Sequence, residues 1–314
     1  MLKIKKGIIG FLAAAFIFYF VIVFVSDLSK VSTYISLIDL RYYPAIISLV
    51  VLNIVLRGLR YSIILEKLDI KIGIKNSVLL FISGLSMRFT PSGIGTLIKS
   101  HILKKKAGES YSRTTPSIIY EKWVELLSNV ILMGIFLYWL NLIETKIVIV
   151  VVLAIVVILS VLLKKPEKIS VFNKIFGKIK PLKRFSIDTK EFEESSRNLF
   201  SRKVIAKTMP LTILAKLSIL GAVFLVLQSF GIDLDIFSTG QIYFTSMTAG
   251  ALTLIPGGLL AVEASLLGLL MQQGIEFSLA ITSVIFIRIV TLWFSVLLGF
   301  VMLRTILKKE FAAQ

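Results

Sequence analysis

The chain has 314 residues, 56% of them hydrophobic, and its mean hydropathy is +0.90. Apolar runs of about 20 residues, long enough to cross a bilayer, recur along the whole sequence. They leave no room for a soluble catalytic domain. There is no cysteine, which excludes disulfides, thiolate chemistry and cysteine-based zinc sites. The net charge of +18 lies in loops between the apolar runs, which is typical of a multi-pass membrane protein and argues against a nucleic-acid partner.

The N-terminal region predicts two helices that cross the membrane. Lysines before residue 7 place the N-terminus in the cytoplasm, and helix 7–25 leads outward. This helix is expected to be retained, because no small-residue cleavage site follows it. The segment 26–43 has apolar residues at helical spacing and is predicted to lie in the outer interface. A second helix, about 44–65, returns to the cytoplasm.

A Pro-Gly break interrupts the next apolar segment. From Ser77 the chain is apolar for only about 11 residues, roughly half the thickness of a bilayer at helical rise. It then reaches residues 90–95, where proline removes a backbone donor and glycine weakens the helix. Because lysines flank both ends, residues 77–103 are predicted to form a re-entrant hairpin that enters and leaves from the cytoplasm.

The middle of the chain predicts two further crossings and a basic loop. Helix 115–140 crosses outward, and helix 147–163 returns after a short external turn. The segment 164–208 contains thirteen Lys and Arg residues, so it is predicted to be cytoplasmic.

The remaining segments repeat this order of elements. Helix 209–230 leads outward, and residues 241–272 are predicted to form a second hairpin, broken at Pro256, that enters from outside. Helix 279–303 then returns to a basic C-terminus. Both termini are therefore expected in the cytoplasm.

Three features recur in nearly one register. The pairs are Pro91 with Pro256, Asp69 with Asp233 and Gly84 with Gly250, at separations of 165, 164 and 166 residues. The recurrence predicts a duplication, with residues 1–146 as the first membrane repeat and residues 147–314 as the second, inverted in the membrane. Two independent kinks in an ordinary bundle are the alternative, because Gly and Pro are frequent in membrane helices.

The predicted fold class is therefore an all-α polytopic membrane protein with an inverted-topology repeat. It has six full transmembrane helices and two Pro/Gly-broken re-entrant hairpins.

Nine charged side chains within the predicted membrane segments are functional candidates, because a charge costs about 2.5 kcal/mol or more at a helix centre. They are Arg57, Arg60, Arg88, Lys99, Lys216 and Arg288 against Glu121, Glu125 and Glu263. Arg60 and Lys216 lie near predicted cytoplasmic ends and are interpreted as snorkelling residues. Arg288 corresponds by repeat position to the neighbourhood of Glu121, and Glu263 to that of Lys99, so the signs are swapped. The charges either pair only to let the halves pack, or break and re-form their pairs as the halves rock.

The break after Pro91 opens a helix N-terminus at residues 92–95, where free N–H groups and the helix dipole favour an anion. The predicted headgroup site comprises Arg88, Ser92, Gly93, Gly95, Lys99, Pro256, Gly257, Gly258 and Arg288. Glu121, Glu125, Glu263 and Arg57 are predicted to balance charge or carry protons. Neither a Walker motif nor Gly-x-Gly-x-x-Gly occurs, so no nucleotide site and no cofactor is expected.

The motifs together resemble one family. They are Arg88-Phe89-Thr90-Pro91-Ser92-Gly93-Ile94-Gly95, Tyr120-Glu121-Lys122, Leu254-Ile255-Pro256-Gly257-Gly258 with Glu263, and Arg288. They are similar, over nearly the whole chain, to the flippase-like membrane region of lysylphosphatidylglycerol synthase. The resemblance implies a cell (cytoplasmic) membrane protein that moves a lipid between leaflets. The family's second motif reads Gly-Gly-Leu-Gly, whereas this chain has Leu260 at the last position, which is expected to stiffen the hairpin. In the synthases a soluble aminoacyl-transferase domain follows, and since this chain ends at Gln314 that activity is expected to be absent.

The predicted function is a lipid flippase or scramblase rather than an enzyme. Its partner lipid is an anionic phospholipid or a polyprenyl-phosphate-linked lipid. An ion-coupled transporter of a small anion is one alternative. The other is a non-transporting membrane partner of a lipid-modifying enzyme or glycosyltransferase, with residues 164–208 as the docking surface.

Overall fold

A computed structural model describes residues 28–88, 97–138, 154, 188–253 and 256–308, and every regular element in these residues is helical. The all-α prediction is therefore confirmed. The helices predicted at 7–25 and 147–163, most of the basic loop 164–208 and the break at Pro91 lie outside the described residues.

The described residues form a series of α-helices. They are α1 Leu28–Ser36, α2 Tyr43–Lys67, α3 Ile74–Leu85, α4 Ile98–Ala107, α5 Tyr111–Tyr138, α6 Thr189–Leu199, α7 Arg202–Ser229, α8 Ile236–Leu252, α9 Ala261–Gln272, α10 Phe277–Arg288 and α11 Phe294–Lys308. Short 3₁₀ segments lie at Leu40–Tyr42 and Pro256–Gly258, and a π-helical segment, Ile289–Trp293, joins α10 to α11.

Three helical segments in the described residues are long and apolar enough to cross a membrane. They are Leu40–Lys67, Arg202–Ser229 and Phe277–Lys308, whereas α3 and α9 are apolar but only 12 residues each. Helix α5 is as long as α7, but three charged residues, Glu121, Lys122 and Glu125, lie close together near its middle. The count of six crossings and the two re-entrant hairpins stay predictions.

Helices α2 and α7 end in the same kind of left-handed turn. After α2, Asp69 has a φ of 56° and the N–H of Ile70 donates to the carbonyl of Leu65 at 3.0 Å. After α7, Gly231 has a φ of 71° and the next residue donates in the same way to Leu227 at 3.0 Å. The left-handed residue after α7 is therefore Gly231, two residues before Asp233, which the sequence matched to Asp69.

Long-range packing follows a reciprocal pattern. Helix α2 packs most extensively on α7, while α3 packs on α11 and α8 packs on α5. Likewise α1 contacts α10, and α6 contacts α5. Gly299 of α11 lies directly against the backbone at the end of α3, because a Cβ there would be 2.9 Å from the Leu85 carbonyl carbon. The hydrophobic core therefore lies between these pairs of packed helices and surrounds the charged residues.

Candidate functional site

A cavity of about 90 Å³ lies among α2, α5, α7, α8 and the junction of α10 with the π segment. A buried water needs roughly 10–15 Å³ of such space, so the cavity has room for several. Its charged lining consists of Arg57, Arg60, Arg88, Lys216 and Arg288 with one acid, Glu125. The cavity is therefore strongly cationic.

Glu125 is held by two arginines of α2. Arg57 donates to its Oε1 from Nη2 at 2.5 Å and from Nε at 3.1 Å. Arg60 donates to the same oxygen from Nη2 at 2.7 Å. Positions 57 and 60 are one helical turn apart, so both guanidinium groups reach α5 from one face. One carboxylate thus serves two cations.

Lys99 of α4 pairs with Glu121 of α5, and both side chains are buried. The ammonium group also lies 4.2 Å from the centroid of the Tyr61 ring, a cation–π contact. Gly84 makes room for the lysine stem, since a Cβ on Gly84 would meet Lys99 carbons at 2.9 Å. Arg60 Nη2 lies 3.6 Å from the Glu121 carboxylate, which links this pair to Glu125.

A second buried pair joins α9 to α10. Arg288 Nε donates to Glu263 Oε1 at 2.7 Å, and its Nη2 donates to the carbonyl of Gly257 at 2.8 Å. Arg288 is the last residue of α10 before the π segment. It therefore ties the 3₁₀ turn at Pro256–Gly258 to the long helix that follows.

The two pairs have the same arrangement with opposite charge. In each case a residue of a short helix pairs with a residue of the next helix along the chain. Lys99 and Glu121 are 22 residues apart, and Glu263 and Arg288 are 25 apart. The sequence predicted that the signs of the charges are exchanged between the two sets of residues. The structure adds that Lys99 is paired with Glu121 and that Glu263 is paired with Arg288.

Two cations of the cavity lack a carboxylate partner. The Arg88 guanidinium makes no hydrogen bond and no ion pair with any described residue. Lys216 Nζ donates to the amide oxygen of Asn129 at 3.1 Å. That amide is in turn fixed by its own donation to Thr248 at 2.6 Å. The cavity therefore contains positive charge that the described side chains leave uncompensated.

The snorkelling interpretation of Arg60 and Lys216 does not hold in the structure. Arg60 is fully buried, and both residues line the cavity. Helix α7 begins at Arg202 rather than near residue 209, which places Lys216 in the middle of the helix. The sequence pattern misplaced this helix end, because Lys and Thr residues in its first two turns look like a loop.

The two predicted breaks differ in how much the structure describes. Ser92, Gly93 and Gly95 lie outside the described residues. At the second break Gly257 and Gly258 both have a φ of 64°, a conformation open to glycine. Gly258 also lies close to Gly250, because a Cβ on Gly250 would be 3.4 Å from its Cα. The end of α8 and the 3₁₀ turn therefore approach each other closely at Gly250 and Gly258.

Sequence reasoning missed several uncharged polar residues of the site. Asn53 donates to the carbonyl of Ala215 at 2.6 Å and so joins α2 to α7, and Thr212 accepts from Arg60 at 3.2 Å. Tyr243 lines the cavity from α8. The available signal was an amide or hydroxyl inside an apolar helix, which is common enough in membrane helices to be passed over.

Buried ion pairs between apolar helices of this length define a helical membrane protein with a charged interior. The chain belongs to the family described as the lysylphosphatidylglycerol synthase TM region, whose model matches residues 8–299. The family resemblance is thus confirmed.

Two curated relatives have the same general description. A UPF0104 membrane protein of Methanothermobacter thermautotrophicus is 23% identical over 260 residues, which cover 75% of this chain and 76% of the relative. A UPF0104 membrane protein of Pyrococcus horikoshii is 23% identical over 291 residues, which cover 83% of this chain and 86% of the relative. Neither name states an activity. No solved structure matches the chain.

Proposed function

We propose that this protein is a lipid flippase or scramblase that moves a phosphate-containing headgroup between leaflets of the cell membrane. The observation that supports it is the cationic cavity, where Arg88 has no partner among the described residues. An unpaired charge within a membrane protein is costly and favours a functional role. Phosphate oxygens accept the paired hydrogen bonds that a guanidinium group offers.

The packing supports an inverted repeat with two hairpins. Under a twofold exchange of the halves, α2 corresponds to α7, α3 to α8, and α5 to the α10–α11 helix. The contact of α3 with α11 then corresponds to that of α8 with α5, and both are present. Secondary transporters use such paired halves to open a site alternately to each side. In this proposal both termini are cytoplasmic, and the headgroup passes between the hairpins while the tails stay in lipid.

A transporter of a small anion is the second candidate. The observation that favours it is the cavity volume of about 90 Å³, which suits a small anion better than a large sugar-linked headgroup.

In the flippase proposal, the protein moves its lipid without catalysing a chemical reaction, and the lipid itself is its partner.

Reconstitution into vesicles with fluorescent lipids tests the proposal. Wild-type protein is expected to expose inner-leaflet phosphate-headgroup lipid to an external quencher faster than empty vesicles do. Arg88→Lys keeps the charge but loses the two-pronged donor, so it is expected to slow translocation while the protein remains folded. Lys122→Gln is the matched control, because Lys122 is exposed on α5 and does not line the cavity.

Two results would count against this assignment. Unchanged lipid translocation in Arg88→Lys would remove Arg88 from the headgroup path. Uptake of a soluble anion without any lipid translocation would favour the second candidate.

A further inference from the structure

We propose that the cavity binds a terminal phosphate bearing at least two negative charges, meaning a phosphate monoester or diphosphate, rather than the singly charged phosphodiester of ordinary phospholipids. This inference rests on the proposed function, because it specifies which headgroup that function serves. It is carried by a count of the charges in and around the cavity and by their contacts.

The charges around the cavity form one connected set. Glu125 binds Arg57 and Arg60, Arg60 lies beside Glu121, and Glu121 binds Lys99. Arg288 binds Glu263 and lines the same cavity as Arg88 and Lys216. The set contains six basic and three acidic side chains, an excess of three positive charges.

The rest of the sequence offers no compensation within the predicted membrane segments. Residues 7–25, 89–96 and 147–163 contain no Asp, Glu, Lys, Arg or His. Arginine stays protonated in proteins, and repulsion among charges is strong in a medium of low dielectric constant. Neither the described side chains nor these predicted segments therefore balance the excess.

Several side-chain donors of the residues that line the cavity have no partner among the described residues. Arg88 uses none of its side-chain donors on a described residue, and Lys216 uses one, on an amide oxygen. Arg60 leaves its Nε without a partner. A terminal phosphate offers three strongly accepting oxygens, so it matches these donors in number as well as in charge.

The size of the charge excess selects the type of phosphate. A phosphodiester carries one negative charge and would leave two of the three positive charges unbalanced. A phosphate monoester carries about 1.5 to 2 negative charges at pH 7, with a second pKa of about 6, and a diphosphate carries more. The monoester class therefore leaves the smaller residual charge.

Soluble probes test the charge requirement without any lipid. The probes are methyl phosphate, dimethyl phosphate and sulfate, and the readout is the shift in the thermal unfolding midpoint of the purified protein with probe concentration. Methyl phosphate is expected to bind at least tenfold more tightly than dimethyl phosphate at pH 7.5. Its affinity should fall toward pH 5 as it becomes a monoanion, while that of sulfate, a dianion throughout this range, should hold.

Variants place the binding in the cavity. Arg88→Gln and Lys216→Gln are each expected to weaken methyl phosphate binding at least tenfold, and Lys122→Gln should leave it unchanged. Arg88→Gln is also expected to raise the unfolding midpoint of the ligand-free protein, because it removes an uncompensated charge. Equal affinity for the mono- and diester, or methyl phosphate binding that ignores both cavity variants, would overturn the inference.

A lipid comparison separates this inference from the proposed function. A fluorescent prenyl phosphate, which is a monoester, is expected to cross proteoliposome membranes faster than fluorescent phosphatidylglycerol, which is a diester. If both lipids cross equally fast, the flippase function stands and the monoester inference is wrong. If neither crosses although methyl phosphate binds through Arg88, the anion site stands and the flippase function is wrong.

Discussion

Leu260 has a backbone conformation that suits glycine. Its φ is 69° and its ψ is −53°, close to a strained γ-turn, and the resembling family has glycine at this position. The side chain is 46% exposed, so glycine and alanine variants alike lose the buried part of its surface. Leu260→Gly is therefore expected to have a higher thermal unfolding midpoint than Leu260→Ala, because strain of roughly 1–2 kcal/mol exceeds an entropy cost of about 0.5–1 kcal/mol for glycine.

Leu260→Ala is the matched control for this prediction. Alanine keeps the Cβ and therefore the strain, so no rise in the midpoint is expected. A glycine variant no more stable than the alanine variant would show that the leucine is accommodated without strain.

The buried pair of Lys99 and Glu121 is expected to be strongly coupled. Lys99→Met leaves Glu121 with only the more distant Arg60, and Glu121→Gln leaves Lys99 without its carboxylate; removing one partner of a buried pair typically costs about 3–5 kcal/mol. The double variant leaves no unpaired charge, so it should cost less than the sum of the two, by about 1 kcal/mol or more. Thermal unfolding of the four proteins measures this, and strictly additive losses would argue against a pair.

The sequence could predict which charges are buried but not their partners. All nine membrane-segment charges identified from the sequence belong to the one connected set. Arg60 and Lys216, which were interpreted as snorkelling residues, both line the cavity. A hydropathy pattern locates a residue along its own helix, whereas burial depends on which neighbouring helix covers it.

At the scale of elements, α3 and α11 are held together by a contact between backbones. A Cβ on Gly299 would lie 2.9 Å from the Leu85 carbonyl carbon and 3.0 Å from the Ile82 oxygen. Backbone atoms cannot move aside as a flexible side chain does, so Gly299→Ala is expected to destabilise the protein by about 1–3 kcal/mol or more.

Gly268 provides a control for that variant. It lies in α9, and a Cβ there meets no described atom within 4 Å. Gly268→Ala should therefore be neutral or stabilise by up to about 1 kcal/mol through helix propensity. Similar midpoints for the two variants would mean that α3 and α11 can separate without cost.

Helix α1 is fastened to the start of α10 by Glu276. This carboxylate accepts from Lys30 Nζ at 3.0 Å and from the Tyr34 hydroxyl at 2.9 Å. These bonds, that of Lys30 first, hold the pKa of Glu276 below its ordinary value. A lowered folded-state pKa means that the docking is fully stabilised above the unfolded-state value, about 4.3, and weakens as pH falls through the folded-state pKa.

We therefore expect α1 to be docked at pH 7 and to loosen below about pH 4. Spin labels on cysteines placed at Ser32 and Gln273, both exposed, would report the distance between the two elements. Glu276→Gln should loosen α1 already at pH 7 and remove the pH response, whereas Asp233→Asn should do neither. Docking that stays unchanged down to pH 3 would mean that apolar contacts alone hold α1.

The element boundaries illustrate the limit of periodicity. The turn that ends α2 was expected from the lysines around it, and the structure places a left-handed residue, Asp69, in it. The π segment at Ile289–Trp293 has no sequence signature, since its residues are as apolar as those around it. Caps and breaks leave composition signals, whereas a change of hydrogen-bond register inside an apolar helix does not.

For the whole molecule, the reciprocal contacts predict a definite sidedness. Cysteines introduced singly at Lys75 and Lys104 should both react with an impermeant maleimide from the cytoplasmic side. Cysteines at Asp233 and Gln273 should both react from outside. All four positions are exposed, and the natural chain has no cysteine to interfere.

Labelling in sealed right-side-out vesicles, before and after permeabilisation, makes this measurement. If positions 75 and 104 report opposite sides, the first hairpin is instead a full crossing. If all four positions report the same side, the two halves are not inverted.

The π segment also fixes the rotation of one part of a helix relative to another. Each residue of an α-helix turns the chain by about 100°, and a π turn accommodates one residue more than an α turn. Arg288 lies before this segment and faces Glu263, while Gly299 lies after it and faces Ser86. The extra residue therefore sets the angle between the charged contact and the glycine contact. If one residue were deleted between Arg288 and Gly299, the helix could make either of the two contacts, but not both at once.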